Sequence, residues 1–266
     1  MKKSVLSSIS LMFICLFVLN SCKNNQGVNL FSIKEDKRLG LKLKDEITSK
    51  PDEYPILDEE KYRTTYEYLH RIRDSILNSG IILYKDEFAW ELKIIQDDSV
   101  LNAFCAPGGY IYVYTGLLKF LDSEDQLAGV LAHEIAHADK RHSTEQLTKS
   151  YGVSLLLRVV LGNDIAILGD IARGLISLKF SRSDEKEADE YSVKYLCETN
   201  YNAAGAAGFF EKLQEKKEEG YFPEFLSTHP SSDDRVEKIN EHKTAGGCGG
   251  TKTFDERYEE LKSILP

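Results

Sequence analysis

Apolar and polar positions along this chain follow two different periods. Over residues 31–49 apolar side chains recur at helical spacing (Leu39, Leu41, Leu43, Ile47) among charged ones, and Pro51 and Pro55 end the run. Residues 58–77 place Tyr62, Tyr66, Leu69, Ile72 and Ile76 on one stripe and stop at Asn78-Ser79-Gly80, which predicts a second helix with His70 on its solvated side. The period then shortens to two: Trp90, Leu92 and Ile94 alternate with charged residues, and the runs 100–106 and 110–114 flank Pro107-Gly108-Gly109. This predicts a small antiparallel sheet. Its last strand, Tyr110-Ile111-Tyr112-Val113-Tyr114, runs directly into the next helix, and its open edge is placed along the cleft to present an extended peptide; the alternative is that the tyrosines simply pack the sheet.

Helical spacing resumes at Ser123, where Gln126 three residues on makes a capping-box start. Residues 153–178 are the most apolar part beyond the N-terminus, but Arg158, Asp164, Asp170 and Arg173 interrupt them. Two short packed helices are therefore expected rather than a membrane span, with a hairpin touching membrane or substrate as the alternative. Residues 203–219 form a helix with Phe209, Phe210 and Leu213 inward, and residues 253–265 form a short terminal helix beyond the glycine-rich stretch 246–250.

Length and charge narrow the class. The 266 residues suffice for one domain with tails, and the formal charge of -9 is dispersed without a basic stripe, which argues against a nucleic-acid partner. Met1-Lys2-Lys3 followed by an apolar run to Leu19 has the form of an export signal. Leu19-Asn20-Ser21-Cys22 resembles a bacterial lipobox, which makes Cys22 the lipidation site and membrane anchor; an ordinary secretory signal with an incidental cysteine is the alternative. Beyond these, Cys105, Cys197 and Cys248 are odd in number and give no disulfide framework, so no pairing is assigned and their state stays open.

The candidate chemistry starts at His133-Glu134-Ile135-Ala136-His137. Histidines four apart on a helix lie roughly 40° apart on one face, so both can reach one metal ion with the intervening carboxylate beside them. Zinc in a hydrolytic site takes three protein ligands, and Glu134 then serves as general base toward a metal-acidified water. His142, nine residues after His133 and about 180° around a continued helix, is excluded as a ligand. A third ligand comes from Ser183-Asp184-Glu185-Lys186-Glu187-Ala188-Asp189, where Glu185 and Asp189 share a helical face. Glu185 can donate an oxygen to the metal while Asp189 accepts the N–H of a ligating histidine; Glu187 points away and is expected in solvent.

These motifs, together with Asn102-Ala103-Phe104, Pro107-Gly108-Gly109, Gly116-Leu117-Leu118, Phe180-Ser181-Arg182 and Ser227-Thr228-His229-Pro230 with Arg235, resemble the HtpX, BepA and CaaX prenyl-protease family of zinc metalloendopeptidases, gluzincins with a glutamate third ligand. The resemblance implies an α+β, mainly helical zincin-type domain over residues 34–245, after a signal peptide at 1–21 and a lipidated tether at 22–33, and before a flexible joint and short helix at 246–266. It implies Zn2+ on His133, His137 and Glu185, Glu134 as base, Asp189 behind the ligands, and the strand Tyr110, Ile111, Tyr112 and Val113 as the substrate edge. It also implies that His229 stabilises the oxyanion or plugs the zinc, whereas spacing alone equally allows it to cap the helix after Pro230; Arg235 reaches the cleft or pairs with a nearby carboxylate. The implied function is hydrolysis of internal peptide bonds in misfolded or misassembled envelope proteins, on the periplasmic side of the outer membrane and in contact with its assembly machinery. The alternative is a zinc-bearing chaperone or adaptor that does not cut.

Overall fold

The computed structural model describes residues 29–162, 164, 166–220, 224–230, 232 and 234–266; the export signal and Cys22 lie outside the described residues. In chain order the elements are α1 (Ile33–Thr48), α2 (Arg63–Leu77), β1 (Glu91–Ile95), β2 (Ala103–Ala106), β3 (Tyr110–Tyr114), α3 (Thr115–Phe120), α4 (Glu124–Asp139), α5 (His142–Tyr151), α6 (Val153–Val160), α7 (Leu168–Ile176), α8 (Arg182–Cys197), α9 (Gly205–Glu218), α10 (Glu224–Thr228), α11 (Arg235–Ala245) and α12 (Asp255–Ser263). The expected helices are present, and the expected α+β class holds. Among the described residues no helix is long and apolar enough to cross a membrane.

The sheet differs from the expected antiparallel one. Its order is β1-β3-β2, with β1 parallel and β2 antiparallel to β3. Strand alternation identifies which residues form strands but not the order in which they pair. Residues 96–109, which contain β2, form the long crossover that a parallel pair requires, and β3 inserts between the other two strands. Tyr110, Ile111, Tyr112 and Val113 therefore sit on the central strand, hydrogen-bonded on both sides, and cannot serve as the open edge. That edge belongs to β2. The β2–β3 hairpin turns through Gly108 and Gly109, both at positive φ, which a side chain would strain.

The two faces of the sheet bury different layers. Leu92, Ile94, Cys105, Ile111 and Val113 face the core that contains α2, α4 and α9. Phe104, Tyr110, Tyr112 and Tyr114 face the other way, into a second cluster with Leu39, Leu43 and Ile47 of α1 and with the apolar stripes of α6 and α7. The apolar stretch 153–178 is thus two short helices packed on the far side of the sheet, and the β3 tyrosines lie beneath α1 rather than in a cleft.

α4 is the axis of the molecule. All its residues but Gln126 are buried, with α8 on one flank, α9 on another and β2 alongside. A helix this enclosed has no polar face to spare, so its polar side chains must find partners inside. Closeness to α9 depends on Gly129, where a Cβ would come within 2.3 Å of the Ala206 backbone nitrogen. Ser123 is the N-cap as expected, but its hydroxyl donates to Asp125 Oδ1 and the capping box with Gln126 does not form; Gln126 Oε1 instead accepts from the Asp122 backbone N–H. The six-residue α3 separates β3 from α4, so the strand does not lead straight into the motif helix.

Two further findings concern the C-terminal part. Cys197, at the end of α8, is disulfide-bonded to Cys248 with Cα atoms 4.7 Å apart, leaving Cys105 buried and free. An odd count hid the pair, because the partners meet only when α8 and α11 pack together. The glycine-rich stretch expected to be flexible is thereby cross-linked, and Lys252 just beyond it bridges Tyr201.

Candidate metal centre

α4 and α8 lie side by side, and their facing residues build the site. His133 and His137 project from α4, with Nε2 atoms 3.0 Å apart, and Glu185 of α8 brings Oε2 to 3.6 Å from His133 Nε2 and Oε1 to 3.4 Å from His137 Nε2. Ser181 caps α8 in a reciprocal box with Asp184, which fixes the first turn on which Glu185 sits, and the small, fully buried Ala188 lets α8 approach α4. His229, just after α10, adds a fourth donor, and one ligand atom from each of His133, His137, Glu185 and His229 falls within 4.8 Å of all the others. All four are buried.

Each imidazole is held from behind. His133 Nδ1 is 2.9 Å from Asp189 Oδ1, so its Nε2 is left with a lone pair toward the cluster. His137 Nδ1 meets His142 Nδ1 at 3.0 Å, and its ring is stacked on Phe180 at 3.8 Å. His229 Nδ1 pairs with the Thr228 hydroxyl at 2.8 Å while its ring stacks on Phe225. Its Nε2 lies 3.4 Å from Glu134 Oε1 and has no hydrogen-bond partner. Both oxygens of Glu134 are likewise without one.

Arg235 is the buried counter-charge. It is 3% exposed, with Nη2 2.7 Å from Asp189 Oδ1 and 3.0 Å from Glu185 Oε2, and its guanidinium lies 3.7 Å over the Phe210 ring. Burial pushes the Glu185 carboxyl up to about 8 against the opposing pull of Arg235. Burial acts on Asp189 in the same direction, but there Arg235 and the His133 hydrogen bond outweigh it and hold the carboxyl below its ordinary value. Burial, then the Glu185 charge, raises Glu134; burial, then the neighbouring histidines, lowers His137.

Unpartnered buried oxygens and nitrogens are rare because they are costly, and here they converge on one point. Two imidazole Nε2 atoms, a carboxylate and a third imidazole, with their remaining polar atoms already committed, are a donor set that fits a divalent cation.

The expected site residues therefore meet in space, including His229 and Arg235, whose positions spacing left open. His229 follows α10 and does not cap α11, which starts only at Arg235. The substrate-edge residues are the ones not brought here. Two residues set aside in the sequence border the site, though neither joins the donor set. His142 is not on the motif helix at all: the chain adopts a left-handed turn at Arg141 (φ 64) and starts α5 at His142, whose ring folds back on His137. Glu187, expected in solvent, is half-buried with Oε2 3.3 Å from His142 Nε2. No glycine or proline announces that turn, so the sequence itself gives no sign that the helix ends there.

The model of peptidase family M48 matches residues 64–243. The chain is 32% identical over 224 residues to the mitochondrial metalloendopeptidase OMA1 of Schizosaccharomyces pombe, which covers 82% of this chain and 64% of the relative. It is 31% identical over 155 residues to the metalloprotease YcaL of Escherichia coli (56% of this chain, 60% of the relative). It is 28% identical over 159 residues to the beta-barrel assembly-enhancing protease of Yersinia pestis (54% and 32%). The matches thus span between about a third and two thirds of these relatives' own lengths. With the family model matching well over half of the sequence and the motif residues gathered round one buried point, the chain belongs to peptidase family M48.

Proposed function

We propose that the protein is a zinc-dependent endopeptidase. The observation that carries this reading is the convergence of His133, His137 and Glu185 beside Glu134, whose two oxygens have no hydrogen-bond partner. Zn2+, when held by those three residues, supplies Lewis acidity toward the scissile carbonyl and lowers the pKa of water to about 7. Glu134 accepts the proton of the attacking water and delivers it to the leaving amine. His229 donates from Nε2 to the developing oxyanion once substrate enters. Asp189 keeps His133 in the tautomer that leaves Nε2 free, and Arg235 offsets the two buried carboxylates behind it.

An extended substrate pairs with the outer edge of β2, the side turned away from β3. The Tyr114 backbone N–H donates to the Asn102 carbonyl in the β2–β3 ladder, so alternate residues Ala103 and Cys105 turn their amide groups outward, away from β3. The Cys105 carbonyl is taken by Ser143, which leaves the Ala103 carbonyl and Cys105 N–H for a peptide backbone.

Cys22 is the lipid anchor in this reading, and the substrates are envelope proteins. The export-type residues 1–21, the Cys197–Cys248 disulfide and the beta-barrel assembly-enhancing relative support it; the OMA1 relatives are mitochondrial. Incorporation of labelled fatty acid into the wild type but not into Cys22→Ala tests the anchor.

The completeness of the donor set favours a second reading. With His229 closing it and all the residues buried, the protein could hold clients without cutting them. Digestion of casein by the zinc-loaded protein separates the two. The endopeptidase reading expects internal cleavage that Glu134→Gln lowers by about 10²-fold or more with zinc retained; equal product from both proteins refutes it.

A further inference from the structure

Building on the metal-centre reading, we infer that His142 and Glu187 are positioning residues that set the tautomer of His137 through a two-step relay, and that the left-handed turn at Arg141 exists to place His142 between the other two. For His137 to offer its Nε2 lone pair, its proton must be on Nδ1, and that N–H needs an acceptor. The atom present is His142 Nδ1 at 3.0 Å, which accepts only if its own proton is on Nε2. That second N–H points to Glu187 Oε2 at 3.3 Å. With a Glu187 oxygen accepting at the outer end, one proton arrangement satisfies the chain: His137 Nδ1–H to His142 Nδ1, then His142 Nε2–H to Glu187 Oε2. The reverse arrangement would put a hydrogen on His137 Nε2, aimed at His133 Nε2 only 3.0 Å away.

The two ligand histidines are thus supported differently. His133 has its carboxylate directly, Asp189 on the same face of α8 as Glu185. His137 is one turn further along α4, and its Nδ1 faces an imidazole rather than a carboxylate, so the carboxylate behind it is reached through His142. Glu187 lies on the wall of a surface cavity of about 340 Å³ that also borders Asp139, Arg141 and His142, so the outer end of the relay meets solvent.

The backbone is bent to make this possible. A left-handed conformation is uncommon for any residue but glycine, asparagine or aspartate and persists only where surroundings enforce it. The Arg141 guanidinium is fastened to the buried Asp36 at 2.6 Å and to the Phe31 carbonyl, which holds the turn from the direction of α1. Ser143, two residues on, then reaches the Cys105 carbonyl at 2.7 Å, so the same turn joins α5 to β2.

The test is zinc affinity, measured on the full chain by competition with a chromophoric chelator, alongside the melting temperature of the metal-free protein. His142→Phe keeps a ring but removes the acceptor, and His142→Asn restores an acceptor at the position of Nδ1. Expected are zinc binding about 10- to 100-fold weaker in His142→Phe, recovery to within a few-fold of wild type in His142→Asn, and a several-fold loss in Glu187→Ala. Unchanged affinity in His142→Phe, or equal loss in the Phe and Asn variants, overturns the relay. Should His142→Phe not fold, the half-buried Glu187→Ala decides: wild-type affinity there overturns the relay. A wild type that binds no zinc removes the metal centre itself, whereas a zinc-binding wild type with indifferent variants removes this inference alone.

Discussion

The Arg235 guanidinium lies 2.7 Å from Asp189 Oδ1 in a fully enclosed setting, and the same Nη2 also touches Glu185. Two carboxyl groups and one guanidinium share this space; Asp189 is held ionised by Arg235, whereas burial raises Glu185 to about 8, so a bound cation is what favours its ionised form. Arg235→Met keeps the contact with Phe210 but leaves the buried Asp189 carboxylate without its counter-charge. A loss of about 3–5 kcal/mol is expected in the metal-free protein, and a smaller one with zinc added, read from denaturant unfolding with and without the ion. An equal loss in both conditions would mean that Arg235 does not share the charge of the metal site.

At the other end of α4, Glu124 is fully buried and accepts from Tyr68, Tyr201 (2.5 Å), Arg71 (3.1 Å) and Arg257. Its place in the first turn also suits a negative charge. Arg257 comes from α12, so the C-terminal helix is tied to the motif helix through this carboxylate. Arg257→Ala is expected to lower stability by about 2 kcal/mol, as a shift of the urea midpoint with unchanged slope. An unmoved midpoint would show the tie to be idle.

Gly129 separates two opposing effects. Alanine is the better helix former by about 1 kcal/mol, yet its Cβ would press on the Ala206 backbone 2.3 Å away. Backbone cannot give way as a side-chain tip can, so Gly129→Ala is expected to destabilise by a net of about 1–3 kcal/mol. Because α9 carries Phe210 under Arg235, zinc affinity should fall as well. A raised melting temperature would show that α9 can move aside.

Cys197 and Cys248 enclose 51 residues of sequence separation, including α9 to α11 and His229. Cross-linking a loop of that length can contribute up to about 4 kcal/mol by restricting the unfolded chain. Replacing both with serine should lower the melting temperature and abolish its sensitivity to reductant. A double variant that melts like the oxidised wild type would contradict this.

What the sequence made legible follows the range of each interaction. His133 and His137 share a face by helix geometry alone, and Glu185 with Asp189 by the same rule, so both halves of the site could be read locally. That the halves meet depends on α4 packing on α8, which spacing does not encode; the family resemblance bridged it. The strands were legible from alternation, but not the insertion of β3 between β1 and β2, which moved the open edge from Tyr110–Tyr114 to Ala103–Ala106. The disulfide was invisible for the same reason, since Cys197 and Cys248 meet only after α8 and α11 pack. Arg141 is the subtler case: its left-handed turn is enforced by Asp36, more than a hundred positions earlier, and without it neither His142 nor Glu187 could be assigned to the site.

Anomalous scattering at the zinc absorption edge from crystals of the zinc-loaded protein locates the ion without reference to activity. One peak is expected, bonded to His133 Nε2, His137 Nε2 and a Glu185 oxygen, with Glu134 close by but not bonded to it. A peak elsewhere, or a zinc ion that leaves Glu185 outside its bonding distance, would contradict a centre built from α4 and α8.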